Sequence, residues 1–241
     1  MYLERRLMLK SIVRSILKNI KNTFIKIIIA GCVVHTSAIG DINMDSNIII
    51  KQMQDHYIAT PPNRHKWTND LSHSNIIFSV EYMKLSKITG TFEDIYVELW
   101  SNQRNQPNSF DNSEFHCIIN AESINTLNIT RDTHLKSEEF LNCKKYPTID
   151  IKGILKKGIK KNILDLTGEL TLNGITKVIK YQVVYTGSNK NMNGDTIAGF
   201  IIKGRISRKD FNITWNKILD NNIPLISDSI QFEANIHLLE N

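Results

Sequence analysis

The chain has 241 residues, of which 41% are hydrophobic and 22% charged, proportions that exclude both a membrane bundle and a disordered chain. Its net charge of +6 sits at the front: residues 1–38 hold seven bases and one acid, Glu4, which leaves 23 bases and 23 acids for residues 39–241. A neutral body lacks the surplus of Lys and Arg through which counterion release drives nucleic-acid binding.

The seven bases Arg5, Arg6, Lys10, Arg14, Lys18, Lys21 and Lys26 precede the apolar run Ile27 to Val34 and the small residues Thr36, Ser37 and Ala38. That order is the order of a secretory signal peptide, with cleavage expected after Ala38. The apolar run falls far short of the roughly 20 residues that a permanent transmembrane helix needs. The basic region is long, and an internal start at Met8 would shorten it. Two other readings stay open. Ile29-Ala30-Gly31-Cys32 is similar to a bacterial lipobox, which would make the protein a lipoprotein through Cys32. Leu3, Leu7, Ile12, Ile16, Ile20 and Phe24 also form one stripe of a cationic helix that could lie on a membrane surface.

Residues 39–65 are polar, contain Pro61-Pro62 and show no periodicity, so they read as a linker. The folded domain is expected over 66–241, opening near Trp67. From there most segments alternate apolar and polar residues with a period of two, the mark of strands with one buried face. Ile76, Phe78, Val80 and Tyr82 share one parity, as do Ile95, Val97 and Leu99, and then Phe115, Cys117, Ile119 and Ala121. Ile149, Ile151 and Leu155 follow, then Leu164, Leu166, Leu170 and Leu172. Ile179, Tyr181, Val183 and Tyr185 continue the series, with Phe200, Ile202 and Ile206, and finally Ile230, Phe232, Ala234, Ile236 and Leu238.

The count is about eight strands. Asn173-Gly174 predicts a two-residue hairpin turn. Gly187-Ser188-Asn189 and Asn193-Gly194-Asp195 predict the two ends of a longer loop. Residues 130–142 are the exception: Leu135, Phe140 and Leu141 near helical spacing, behind a Thr130 cap and an early Asp132, predict a short helix. The predicted fold is therefore all-β, an eight-stranded antiparallel barrel with one helical insert, because closure removes the exposed edges of an open sheet. A barrel of this size is either filled by its own side chains or holds one small guest. Because the inward set is nearly free of polar groups, any guest would be apolar.

At this point the sequence resembles the YceI-like, lipocalin-like family from about Trp67 to Leu239. The resemblance rests on residues 73–80, Gly90-Thr91-Phe92, Ala121-Glu122-Ser123-Ile124-Asn125-Thr126, Arg131-Asp132-Thr133-His134-Leu135 and Tyr146-Pro147-Thr148-Ile149. The hairpin 168–177, Ala198-Gly199-Phe200 and Ser207-Arg208-Lys209-Asp210-Phe211 complete it. Asn212 stands where the family usually has glycine, and asparagine tolerates the left-handed backbone such a turn needs. The resemblance implies a lipocalin-like barrel in the periplasm that binds a polyisoprenoid, isoprenoid quinone or other long-chain lipid, with no further cofactor. The residues expected to line the lipid site are Ile76, Phe78, Val80, Tyr82, Phe92, Phe115, Ile119, Ile149, Ile151, Leu170, Leu172, Tyr181, Val183, Phe200, Ile202, Phe232 and Ile236.

The polar residues Arg131, Asp132, His134, Arg208 and Asp210 form a candidate cluster at the barrel mouth. They either contact a lipid head group or fasten the helix, through Arg131 with Asp210 or Asp132 with Arg208. Tyr82, Tyr181, Tyr185 and Trp215 either face a ligand or pack in the core. No metal, nucleotide or serine-hydrolase motif is present among the seven histidines or the glycines, and no catalytic residue is assigned. Cys117 and Cys143 could pair in an oxidising compartment, although an apolar strand face suits Cys117 as a free, packed thiol. Transient membrane contact is expected of a lipid carrier, and a dimer is one option for its oligomeric state. An enzyme acting on a lipid in the same cavity, or a solid barrel that binds a protein partner, are the alternatives.

Overall fold

A computed structural model describes residues 64–101, 110–220 and 222–241. The expected signal segment 1–38, the lipobox cysteine Cys32 and residues 39–63 of the linker lie outside them. Eleven strands are found among the described residues: β1 (His65–Asn69), β2 (Asn75–Tyr82), β3 (Ser86–Phe92), β4 (Ile95–Ser101), β5 (Ser113–Asn120), β6 (Ile124–Asn125), β7 (Thr148–Lys157), β8 (Ile163–Leu172), β9 (Ile175–Lys190), β10 (Thr196–Ser207) and β11 (Ile226–Glu240). One α-helix, α1 (Ile129–Lys136), separates β6 from β7.

All pairings are antiparallel, and they run β1–β4–β5–β7–β8–β9–β10–β11 before β11 returns to β1. That ring is a closed eight-stranded barrel. It shuts where Trp67 faces Glu240 and Asn69 faces Leu238. The long β11 serves two partners on the same edge, because Ile226 to Asn235 pair with β2. The chain steps between them at residues 70–74, where the Asp70 amide donates to the His237 carbonyl at 2.8 Å. The Ser74 hydroxyl donates to that carbonyl at 3.2 Å and accepts from the His237 amide at 3.1 Å. β1 and β2 are thus one interrupted ribbon. β3 and β4 make a second, broken at Glu93-Asp94, and β5 and β6 a third, broken by a single 3₁₀ turn at Ala121–Ser123.

Side chains of alternating parity face the inside along every ribbon, and the buried core follows that parity. One end of the barrel is stoppered by aromatic rings. Phe110 packs against Trp67, Tyr185 and Phe200 at centroid distances of 5.3, 5.4 and 4.9 Å, and the Trp67 indole N–H donates to Ser101 Oγ at 3.0 Å. Edge-to-face rings of this kind fill a tapering end well and add to their burial.

Two local expectations are corrected. The helix begins at Ile129 with Asn128, not Thr130, as its cap, the Asn128 side chain accepting the Arg131 amide at 2.9 Å. It stops at Lys136, because Ser137 leaves helical geometry and its amide bonds back to the His134 carbonyl. The expected loop over 187–195 is a short turn: β9 runs on to Lys190 and β10 begins at Thr196. Gly187, at φ +128°, instead lies at a β-bulge opposite Gly199 and Phe200, where one extra residue turns the strand. Cys117 and Cys143 are both free and buried, so Cys117 is the packed thiol that its apolar strand face suits.

The Asn173-Gly174 turn does join β8 to β9, with φ of 50° and 72° at its two central residues. Asn212, in the place of the family glycine, adopts the left-handed conformation at φ 57° and ψ 24°. At Gly174 two constraints coincide, since a Cβ there would come within 2.4 Å of the Tyr146 ring. Gly174→Ala should therefore lower the unfolding free energy by about 1–3 kcal/mol, measured by urea denaturation.

Candidate functional site

A cavity of about 380 Å³ occupies the barrel. The side chains of the described residues therefore do not fill the interior. Every strand position assigned to the lipid site in the sequence, from Ile76 on β2 to Ile236 on β11, borders this space. The period of two explains the result: once the sheet closes, all residues of one parity must share the enclosed side. The surroundings are almost wholly hydrocarbon, with aromatic rings grouped at Phe78 and Phe92, 5.6 Å apart, and at Tyr181 and Phe232, 5.1 Å apart. The Tyr181 hydroxyl donates to the Arg205 carbonyl at 2.9 Å, so the ring presents its apolar face.

The cavity extends to the barrel end where α1 meets the segment after β10. Leu135, Phe140 and Leu141 border it from the helix side, and Ile213, Trp215 and Leu225 from the other. His134, Phe140 and Trp215 touch one another, with ring centroids 4.9 to 5.1 Å apart. Tyr82, Tyr181 and Trp215 border the cavity; Tyr185 does not, because it belongs to the aromatic stopper at the opposite end.

Of the polar cluster, Arg131, His134 and Arg208 border the cavity, whereas Asp132 and Asp210 do not. Neither expected ion pair forms. Arg131 donates from Nε to Thr126 Oγ1 and from Nη2 to the Thr126 carbonyl, both at 2.7 Å. Asp132 accepts from the Thr126 amide and hydroxyl, and Asp210 is exposed. The two helix residues thus brace the bend at positive-φ Leu127, not the barrel wall.

Arg208 is turned inward, with its side chain only 2% exposed. It donates to the carbonyls of Ser227, Ile213 and Trp215 at 3.1, 2.8 and 2.7 Å and to Asp228 Oδ1 at 3.1 Å. Burial pulls its pKa below the usual value against the pull of Asp228. One guanidinium therefore ties β11 to the loop that carries Trp215. The sequence marks Arg208 as part of a family motif and of the polar cluster but does not show its partners, since hydrogen bonds to three distant carbonyls leave no periodic trace. Thr126, Ile213 and Leu225 were likewise not foreseen, because they reach the cavity from turns and loops. Cys117 also borders the cavity, and burial pushes its thiol up to about 12, which suppresses the nucleophilic thiolate. Among the described residues, no cluster of three or more His, Cys, Asp or Glu is placed to hold a metal ion.

Residues 67–238 match the profile of the YceI-like domain. The chain belongs to the YceI-like family. It is 31% identical to the UPF0312 protein SA2479 of Staphylococcus aureus over 171 residues, which cover 70% of this chain and 94% of that one. Among solved structures, the Campylobacter jejuni YCEI protein is 29% identical, with a TM-score of 0.53 over 65% of this chain and 87% of that one. Burkholderia cenocepacia BcnA shares the fold at 16% identity, with a TM-score of 0.58 over 70% and 98% of the two chains. So does a polyisoprenoid binding domain from Saccharophagus degradans at 12% identity, with a TM-score of 0.55 over 73% and 98%.

In this YceI-like barrel, Arg208→Leu should leave three carbonyls without their donor. Buried acceptors left unpaired cost about 1–3 kcal/mol each. The variant should lose at least about 2 kcal/mol in chemical denaturation, and Trp215 emission should shift to the red as its loop loosens.

Proposed function

We propose that this YceI-like protein binds one long apolar lipid, of the polyisoprenoid or isoprenoid quinone type, inside the barrel and acts as its carrier or store. The observation that carries the reading is the cavity of about 380 Å³ enclosed by inward-facing hydrocarbon on all eight ribbons. That volume falls in the range of ordinary small-molecule sites. An apolar chain gains about 25 cal/mol for each Å² removed from water, so a few hundred Å² outweigh much of the cost of association without any polar anchor. The related fold named as a polyisoprenoid binding domain supports the same ligand class.

The reading is of a binding protein rather than an enzyme. The cavity-bordering ionisable side chains are engaged structurally: Arg208 with carbonyls and Asp228, and His134 with Glu139 at 2.5 Å. The Cys117 thiol is held protonated. We place the protein in the periplasm on the order of basic, apolar and small residues in 1–38, with a lipid on Cys32 as the alternative form of export. A lipid of this kind cannot cross water unescorted, which gives an exported apolar tube its use.

Native mass spectrometry of protein purified gently from its own envelope, followed by organic extraction, tests the proposal. One lipid per barrel is expected. Ile151→Trp, which fills the middle of the cavity, should lower lipid occupancy at least about tenfold while the far-ultraviolet circular dichroism keeps its β signature. Repeated preparations without any lipid, or full occupancy in the filled variant, would contradict it.

A further inference from the structure

The aromatic stopper meets the cavity through a single ring. Of Trp67, Phe110, Tyr185 and Phe200, Phe200 alone borders the space. Phe110 stands edge-on to that ring at a centroid distance of 4.9 Å, and Tyr185 lies 5.6 Å away. Since neither of them borders the cavity, both back the Phe200 ring from behind. Phe110 is wedged in turn against Trp67, whose indole N–H is fixed on Ser101. The backbone sets up the arrangement. At the β9–β10 bulge the register passes from Gly199 with Gly187 to Phe200 with Tyr185, which leaves Thr186 as the extra residue. Directly opposed residues of an antiparallel pair share a face, so the bulge brings these two rings together on the inside. A ring backed this way in a close-packed interior does not swing aside cheaply.

The cavity wall beside Phe200 offers nothing polar. Leu99, the register partner of both Trp67 and Phe115, borders the space together with Phe115. Leu238, the partner of Ala198 two residues from Phe200, borders it too. A hydroxyl or head group placed among these side chains would give up water without a hydrogen-bond partner, whereas a hydrocarbon terminus gives up nothing.

We infer that Phe200 is the floor of the lipid site: the hydrocarbon terminus of the guest rests on its ring, and the ring sets the longest chain that the barrel buries. This floor presupposes the lipid-binding reading above and adds a chain-length limit to it. Carbons that fit above the floor gain by leaving water, and carbons in excess of that length stay wet and add nothing. Phe200→Ala removes a ring about as large as one prenyl unit, and the surroundings of such a deletion relax only in part. The dry hole that remains is a place for hydrocarbon.

The test titrates the delipidated full chain with geraniol, farnesol, geranylgeraniol and geranylfarnesol, followed by tryptophan fluorescence. In the unaltered protein each added prenyl unit should tighten binding about tenfold or more up to a break, and beyond it by less than about twofold. Phe200→Ala should move the break to the next longer alcohol. A barrel merely loosened by the substitution would bind every alcohol more weakly with the break in place, and that result overturns the floor. A second measurement needs no variant to fold. A farnesol analogue carrying a diazirine at the end remote from its hydroxyl, photolysed in the complex and mapped by peptide mass spectrometry, should label Phe200, Leu99, Phe115 or Leu238. Label at Leu135 or Trp215 instead, or affinity that climbs undiminished through all four alcohols, overturns the floor and leaves the lipid-binding reading intact. Failure of all four alcohols to bind removes that reading together with the floor.

Discussion

The pairing of β1 with the last residues of β11 is the contact on which the rest depends. Three registered residue pairs, from Trp67 with Glu240 to Asn69 with Leu238, turn a meander of antiparallel strands into a ring. A closed ring has no free edges, and it divides every strand into residues inside and residues outside. An eight-stranded barrel can be filled by its own side chains or hold one guest. Here the inward side chains of the described residues leave a cavity of about 380 Å³. Placing Val, Ile, Leu and Phe on the inner parity makes it dry.

The two ends of the tube are finished differently. At one, Trp67, Phe110, Tyr185 and Phe200 interlock and leave no room. At the other, the wall gives way between β6 and β7, and α1 with the turns after it fills the connection. That end depends on polar anchors rather than on packing alone. Thr126 receives both Arg131 and Asp132, and Arg208 gathers three carbonyls.

Much of the cavity was legible in the sequence because its wall obeys one rule. Ile149 and Ile151, or Tyr181 and Val183, are two apart and must share a face of a strand, so their common exposure to the interior needs no three-dimensional information. The interrupted ribbons were harder. β1 is five residues long and β6 only two, too short for an alternation to stand out, and the breaks at Asp70 and Ala121 depend on hydrogen bonds to distant chain. The mouth was legible only as a set of residues. Arg131 and Arg208 were named, but their partners were not, because a backbone carbonyl has no letter in the sequence. An ion pair guessed from opposite charges, Arg131 with Asp210, gave way to Thr126, which lies nearer and offers two acceptors. The helix cap moved from Thr130 to Asn128 for a related reason, since both residues can cap and the bend at Leu127 decides which one does.

What joins these features into one account is that a hydrocarbon guest would exchange water for the inner wall of the barrel. Burial of apolar surface on binding lowers the heat capacity, and a single enclosed site saturates. Isothermal titration calorimetry of the delipidated protein with a soluble prenyl ligand, repeated at several temperatures, measures both. The account predicts one site per chain and a clearly negative change in heat capacity. Uptake that never saturates, or a heat capacity unchanged by binding, would mean that the ligand stays on the outer surface and that the interior is not its site.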